Sequence, residues 1–128
     1  MLISSIVTLL LNWIQINTEY NTKNFDVEIF QVSIEEIQEK ACNGNCPIIA
    51  FFKPDEGIYI VNMEFKDNYC NQSILLHEII HTLQNRKMEN SFREREAYLI
   101  QNKFLYDMSI KNNLEILNVK KCRSQQKL

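Results

Sequence analysis

The two histidines of the chain, His77 and His81, lie four residues apart in the segment HEIIHTL, and Glu78 follows the first of them. Side chains at positions i and i+4 project from one face of a helix, so two imidazoles at this spacing can bind one metal ion. Glu78 lies about 100° further round such a helix, where its carboxylate can take a proton from a metal-bound water without being a ligand. The motif therefore predicts a metal site with Glu78 as general base.

A third protein ligand is expected among the acids that follow the histidines, Glu89, Glu94 and Glu96. Catalytic zinc sites have three protein ligands and keep one position open for water. Glu89 falls in a predicted loop, and Glu94 is expected to form a capping box with Ser91 at the start of the next helix. Glu96 shares the apolar face of that helix, where a carboxylate needs a cation. We therefore expect Glu96 to be the third ligand.

The helix that carries the histidines is predicted to be buried, because its apolar residues lie nearly all round it. Two imidazoles and a carboxylate buried without partners would cost several kcal/mol, and a metal ion removes that cost. This favours a metal site over a helix that merely carries two surface histidines. For Glu96 the alternative is a pair with Arg93 or Arg95, or exposure to solvent. The apolar residues are Ile74, Leu75, Leu76, Ile79, Ile80 and Leu83.

The composition indicates one globular domain. The chain has 128 residues, of which 45% are hydrophobic, and it has only two glycines and two prolines, so linkers and low-complexity segments are not expected. A formal net charge of -2 gives no electrostatic reason for binding to nucleic acid or to an anionic membrane. We expect no nucleic-acid partner and no transmembrane segment, and the sequence gives no indication of oligomeric state.

Hydrophobic periodicity predicts an α+β domain over residues 1–128. We expect an amphipathic helix at about 1–17, strands and a short helix within 25–65, the HExxH helix at 72–87, the glutamate-bearing helix at 91–110 and a basic tail at 111–128. The first segment is interpreted as a helix of the domain rather than a signal peptide, because no Lys or Arg precedes its apolar stretch. Ser33 is expected to cap the short helix, and CPIIAFF and GIYIVNMEF are expected to form a hairpin across KPDEG.

Four cysteines leave the cellular compartment open. Cys42, Cys46, Cys70 and Cys122 are compatible with two disulfides in an exported protein and with free thiols in a reducing cytoplasm. A further possibility is a latent site, in which a thiolate of Cys70 or Cys122 takes the open position of the metal.

The segment HEIIHTLQ, followed after a short loop by REREAYLIQ, resembles the gluzincin zinc peptidases, and the small size resembles minigluzincins and compact bacterial gluzincin-like domains of unknown function. The resemblance is specific over residues 77 to 101 and looser elsewhere. It implies that His77, His81 and Glu96 bind one Zn²⁺ and that Glu78 is the general base. It also implies a compact zincin-like fold, with a small twisted mixed sheet packed on the histidine helix and an edge strand that pairs with an extended peptide.

These observations predict a zinc metallopeptidase that hydrolyses peptide bonds through a zinc-activated water. Larger gluzincins take an oxyanion-stabilising residue from a second subdomain that this chain lacks. Possible replacements are Tyr98, Tyr106, Arg93 and Tyr59. If GIYIVNM is the edge strand, the substrate would pair with Tyr59, Ile60, Val61 and Asn62.

Two other functions are compatible with the same motif. The chain could be a zinc-stabilised binding module without turnover, or a latent, self-inhibited enzyme. Two histidines and a carboxylate also form the iron site of some oxygenases, although the HExxH spacing favours zinc. Substitution of Glu78 by Gln separates an enzyme from a module, because only the enzyme loses an activity.

Overall fold

Five helices and three short strands form residues 3–125, the part of the chain that the computed structural model describes. This is a compact α+β domain, as the periodicity predicts. In chain order the elements are α1 (Ile3–Asn17), β1 (Ile29–Val32), α2 (Ile34–Cys42), β2 (Ala50–Lys53), β3 (Gly57–Val61), α3 (Tyr69–Leu83), α4 (Asn90–Lys111) and α5 (Val119–Gln125).

The sheet is mixed and has the strand order β1-β3-β2. β2 and β3 form the antiparallel hairpin that the turn residues predict, whereas β1 pairs in parallel with β3 after a crossover through α2. Both backbone edges of β3 are therefore paired. The prediction of a substrate-binding edge strand at Tyr59, Ile60, Val61 and Asn62 is wrong, because the parallel partner of β3 comes from a distant segment that no local pattern reveals. The edge strand on the side of α3 is β2.

The two faces of β3 have different neighbours. Ile58 and Ile60 are fully buried in the main core with α3, while Tyr59 packs with Ile37 of α2 in a smaller cluster on the opposite face. At the start of β3, Gly57 has φ +146°, and a Cβ atom there would lie 2.4 Å from the Glu28 carbonyl oxygen. Only glycine lets the hairpin pass this close to the backbone of Glu28, the residue just before β1.

The first helix packs into the core of the domain. One face of α1 is buried through Ile6, Leu10, Trp13 and Ile14. The Trp13 ring contacts Phe104 of α4 edge-to-face, with ring centroids 5.3 Å apart. Its indole N–H donates to the Asp107 carboxylate at 2.8 Å. Ser33 also caps α2 as predicted, since its Oγ accepts from the Glu36 backbone N–H at 3.1 Å.

The segment predicted as a basic tail contains α5, which a disulfide between Cys122 and Cys70 links to the first turn of α3. A second disulfide joins Cys42 and Cys46. With Cys70 and Cys122 bonded to each other, neither sulfur is a thiolate that could occupy a metal site, so the latent state proposed for these residues is wrong. No helix between residues 3 and 125 combines the length and the apolarity needed to cross a membrane.

The two disulfides are expected to differ in their effect on stability. Cys70 and Cys122 are 52 residues apart, whereas Cys42 and Cys46 are four apart. Loop-closure entropy predicts a loss of about 4 kcal/mol for Cys70→Ala/Cys122→Ala and about 2 kcal/mol for Cys42→Ala/Cys46→Ala. Urea unfolding followed by fluorescence of the single tryptophan, Trp13, measures both values. Equal losses in the two variants would show that the longer loop closed by Cys70 and Cys122 does not constrain the unfolded chain more than the short one.

Candidate metal centre

α3 carries both histidines into the interior of the domain. The Asn68 side chain caps its first turn by accepting from the Asn71 backbone N–H at 2.9 Å. Residues on several faces of this helix are buried, including His77 and Glu78, as the apolar pattern predicts. The His77 and His81 rings follow one another along one face, with centroids 4.8 Å apart. The two imidazoles therefore lie next to each other on one face of α3, at the i, i+4 spacing.

A carboxylate from α4 completes a cluster with the two imidazoles. Glu94 Oε1 lies 2.5 Å from His81 Nε2 and 3.3 Å from His77 Nε2, and the two Nε2 atoms are 3.1 Å apart. Among the residues that the structure describes, this trio has ligand atoms close enough together to hold a metal ion. The Glu94 side chain is 48% exposed, so the cluster opens to solvent on the α4 side.

Glu96, the predicted third ligand, does not reach the imidazoles. Its Oε1 accepts hydrogen bonds from the Tyr20 hydroxyl and, at 3.0 Å, from Gln84 Nε2. The structure therefore places Glu94, and not Glu96, beside the two imidazoles, which corrects the predicted position of the third acid. The expected capping box does not form, because α4 begins at Asn90 with Glu89 as N-cap and Ser91 lies inside the helix, so the Glu94 side chain is free to face the imidazoles.

Two glutamines fix the orientation of the imidazoles. Gln101 Oε1 lies 2.8 Å from His77 Nδ1, and Gln84 Oε1 lies 2.7 Å from His81 Nδ1. The amide nitrogen of Gln101 donates to Ser73 Oγ, and that of Gln84 donates to the Arg93 carbonyl and to Glu96. Because both amide nitrogens are donors in these bonds, both amide oxygens must accept, and each Nδ1 carries the proton.

The resulting tautomers direct two lone pairs at the same point. In a neutral imidazole with its proton on Nδ1, Nε2 is the acceptor, and the carboxylate oxygen of Glu94 is a third electron-pair donor beside the two Nε2 atoms. Burial, and then the proximity of His81, lower the pKa of His77, which favours its neutral form. Three electron-pair donors within 3.3 Å of one another are stabilised by a cation between them.

Glu78 lies beside this cluster on α3 and is 9% exposed. Burial in the apolar interior, and then the nearby Glu94 carboxylate, raise the pKa of Glu78 to about 8. The backbone N–H of Phe52 in β2 donates to its carboxylate and opposes this shift. Glu78 thus lies between Glu94 of this cluster and Phe52 of the edge strand β2.

The cluster lies in a groove of about 870 Å³, within the size range of ligand-binding clefts. One wall is apolar and comes from β2 and the residues before it. The opposite wall comes from α4 and α5. The residues on the first wall are Pro47, Ile48, Ile49, Ala50, Phe51 and Phe52, and those on the second include Arg93, Glu94, Tyr98, Gln101, Val119 and Arg123.

The structure separates the four residues considered for oxyanion stabilisation. Tyr98 lies closest to the cluster, with its ring centroid 4.5 Å from that of His77, and Arg93 lines the groove. Tyr106 is 57% exposed and does not line the groove. Tyr59 stacks between Phe30 and Phe51 on the sheet face opposite α3. The geometry thus retains Tyr98 and Arg93 and corrects the proposals for Tyr106 and Tyr59.

Sequence reasoning missed the two glutamines and Arg123. A signal existed for Gln101, because Glu94, Tyr98 and Gln101 follow one another at i, i+4 and i+7 and so share one face of α4. The contact of Gln84 with His81 could also have been predicted, because residues three apart on a helix are neighbours. Arg123 had no signal, because its place depends on the pairing of Cys70 with Cys122, which spacing cannot determine.

Comparison with known proteins identified one family. A family model described as "Domain of unknown function (DUF6647)" matches residues 2–127. Neither a search of curated proteins nor a search of solved structures found a match. Because the family model spans nearly the whole sequence, the chain belongs to the DUF6647 family, a domain of unknown function.

Proposed function

We propose that this chain is a zinc-dependent peptidase with a zincin-like arrangement of helices and sheet. His77, His81 and Glu94 would hold one Zn²⁺, and Glu78 would be the general base. The observation that carries the proposal is the convergence of two lone-pair nitrogens and a carboxylate oxygen at one wall of a groove, next to a buried carboxylate. The preceding hydrogen bonds fix the tautomers that this convergence requires.

The spacing of the donor atoms fits zinc. Ligand atoms about 2.0–2.1 Å from a tetrahedral zinc ion are roughly 3.3 Å apart. His77 Nε2 lies 3.1 Å from His81 Nε2 and 3.3 Å from Glu94 Oε1. His81 Nε2 and Glu94 Oε1 are closer together, at 2.5 Å. The donor set of two imidazoles and one carboxylate is also one that zinc enzymes use.

Each residue of the proposed site would have a separate role in peptide hydrolysis. A zinc ion bound there would acidify water and polarise a peptide carbonyl. The Glu78 carboxylate would accept the proton of the attacking water and return it to the leaving amine. Gln101 and Gln84 would hold the imidazoles in orientation, as outer-shell partners of ligating histidines do. Tyr98, beside His77, is the best-placed phenol for the carbonyl oxygen of a substrate.

The substrate would be a peptide lying along β2. This strand is paired on one side only, with β3, and it lines the groove together with the metal cluster. An extended peptide can add to such an edge by backbone hydrogen bonds, and the apolar wall would contact alternate side chains. Two disulfides suit a protein that works in an oxidising compartment, which we include in the proposal.

Metal removal tests the proposal. Protein purified without added metal is expected to contain one zinc per chain and to cleave members of a random peptide library. A chelator should abolish the cleavage, and added Zn²⁺ should restore it. Mass spectrometry of the digests and elemental analysis of the protein are the measurements. Zinc without any cleavage would indicate a binding module, iron in its place would indicate redox chemistry, and protein without affinity for either would refute the site.

A further inference from the structure

Arg123 is a charged residue of the groove that has no role in the proposed metal site. The charged side chains along the groove, apart from the histidines, are Glu78, Glu94, Arg93 and Arg123. The two glutamates belong to the proposed site. Arg93 Nη1 is directed to the Asn85 carbonyl oxygen, 3.4 Å away, in the loop between α3 and α4. This leaves Arg123 as the guanidinium on the α5 side.

The Arg123 guanidinium is held beside the metal cluster by Tyr98. Its Nη2 donates to the Tyr98 hydroxyl at 2.7 Å, and its central carbon lies 5.2 Å from the centroid of the Tyr98 ring. That ring lies 4.5 Å from the His77 ring. The guanidinium is therefore no more than roughly 10 Å from His77, which is about three residues of an extended peptide at ~3.3 Å per residue.

The Arg123 guanidinium has N–H donors that are available to a ligand. A guanidinium carries five N–H donors, and the Tyr98 hydroxyl takes one. Within residues 3–125, no carboxylate lies at salt-bridge distance from Arg123. A guanidinium is the side chain best suited to bind a carboxylate with two parallel hydrogen bonds.

The backbone that carries Arg123 is fixed in place. Its neighbour Cys122 is 4% exposed and is bonded to Cys70 on the histidine helix. At the start of α5, the Val119 backbone N–H donates to Asn102 Oδ1 at 2.8 Å. A seven-residue helix is too short to be stable alone, so these links position Arg123 at the groove. A guanidinium positioned before binding loses less entropy when it meets its partner.

We propose that Arg123 selects peptides with an acidic side chain, Asp or Glu, within three residues of the cleaved bond. This inference rests on the proposed peptidase function, because it places the acidic side chain relative to the cleaved bond. Groove residues lie on both sides of Glu94 along α4, with Asn90 and Arg93 before it and Tyr98 and Gln101 after it. The groove therefore extends beyond the His77, His81 and Glu94 cluster on both sides, so a bound peptide can continue past the cluster at both of its ends. This favours a side-chain carboxylate over the carboxylate of a chain end.

Peptide binding tests the inference without hydrolysis. The zinc-loaded Glu78→Gln variant is titrated with fluorescent peptides, acetylated and amidated at their ends, that differ only by Glu or Gln at one position. Glu peptides are expected to bind roughly fivefold more tightly at one or more positions, the upper end for a solvent-accessible ion pair. Arg123→Gln in the same background should remove the preference, and Arg123→Glu should transfer it to peptides with Lys at that position.

Arg95→Gln is the matched control, because it removes the same charge from α4 outside the groove, where Arg95 packs on the Phe92 ring. It should leave the preference for Glu intact. Circular dichroism and zinc content should be the same in all variants. Equal binding of Glu and Gln peptides, a preference that persists in Arg123→Gln, or a requirement for a free C-terminus would each overturn the inference. An Arg123-dependent preference in a protein that cleaves nothing would uphold it while refuting the peptidase.

Discussion

Replacement of Glu78 by Gln is expected to reduce peptide hydrolysis by about 10²–10⁴-fold, the usual contribution of a general base. The amide has the same shape as the carboxylate and can still accept from the Phe52 backbone N–H, but it cannot take a proton from water. The buried position should be retained, because a neutral amide is easier to bury than a charged carboxylate. Measurement of kcat/KM on a peptide cleaved by the wild type gives the size of the effect.

Zinc content distinguishes loss of the base from loss of the site. The Glu78→Gln protein should keep one zinc per chain, since Glu78 is outside the His77, His81 and Glu94 cluster. Glu89→Gln is a suitable control, because Glu89 is the N-cap of α4 without a side-chain capping bond. Its activity should equal that of the wild type. A Glu78→Gln enzyme that retains a third or more of the wild-type rate would exclude Glu78 as the base.

The parts of the fold that depend on local chemistry were predictable. The hairpin follows from the turn residues between β2 and β3, and the start of α2 follows from Ser33. The central position of β3 was not predictable, because the parallel pairing of Phe30 with Tyr59 joins segments that are distant in sequence. Long-range pairing leaves no local period, and the same holds for the docking of α5 through the Cys70–Cys122 disulfide.

The candidate site shows the same division between local and non-local information. His77, Glu78 and His81 belong to one helix, so their spacing alone gives their relative positions. The choice between Glu94 and Glu96 depends on the rotation of α4 relative to α3, which the sequence does not contain. The capping-box pattern at Ser91 was misleading, because α4 starts one residue earlier and Glu94 turns toward the imidazoles. The packing of α4 on α3, and not the local capping-box pattern, determines the position of Glu94.

Glu94→Gln and Glu96→Gln are expected to separate the two glutamates by their effect on zinc affinity. A charged ligand oxygen is lost in Glu94→Gln, so affinity should fall by more than the 10–100-fold typical of losing an outer-shell partner. Glu96 contacts His81 only through Gln84, and a Gln at position 96 can still accept from Tyr20 and Gln84. Glu96→Gln should therefore weaken zinc binding by less than about tenfold. Competition with a chromophoric chelator measures both affinities.

The comparison is balanced, because each substitution removes one carboxylate from α4, two residues apart, and leaves the side-chain shape unchanged. Similar unfolding curves for the two variants would show that any difference in affinity arises at the metal. If Glu96→Gln lost zinc and Glu94→Gln kept it, α4 would have to rotate by about 200° of helical angle to exchange the two side chains. Such a rotation would bury the exposed side of α4, including Leu99, and expose Ala97 and Phe104, which are now in the core. The packing of α4 against α3 and α1 therefore determines which glutamate meets the histidines.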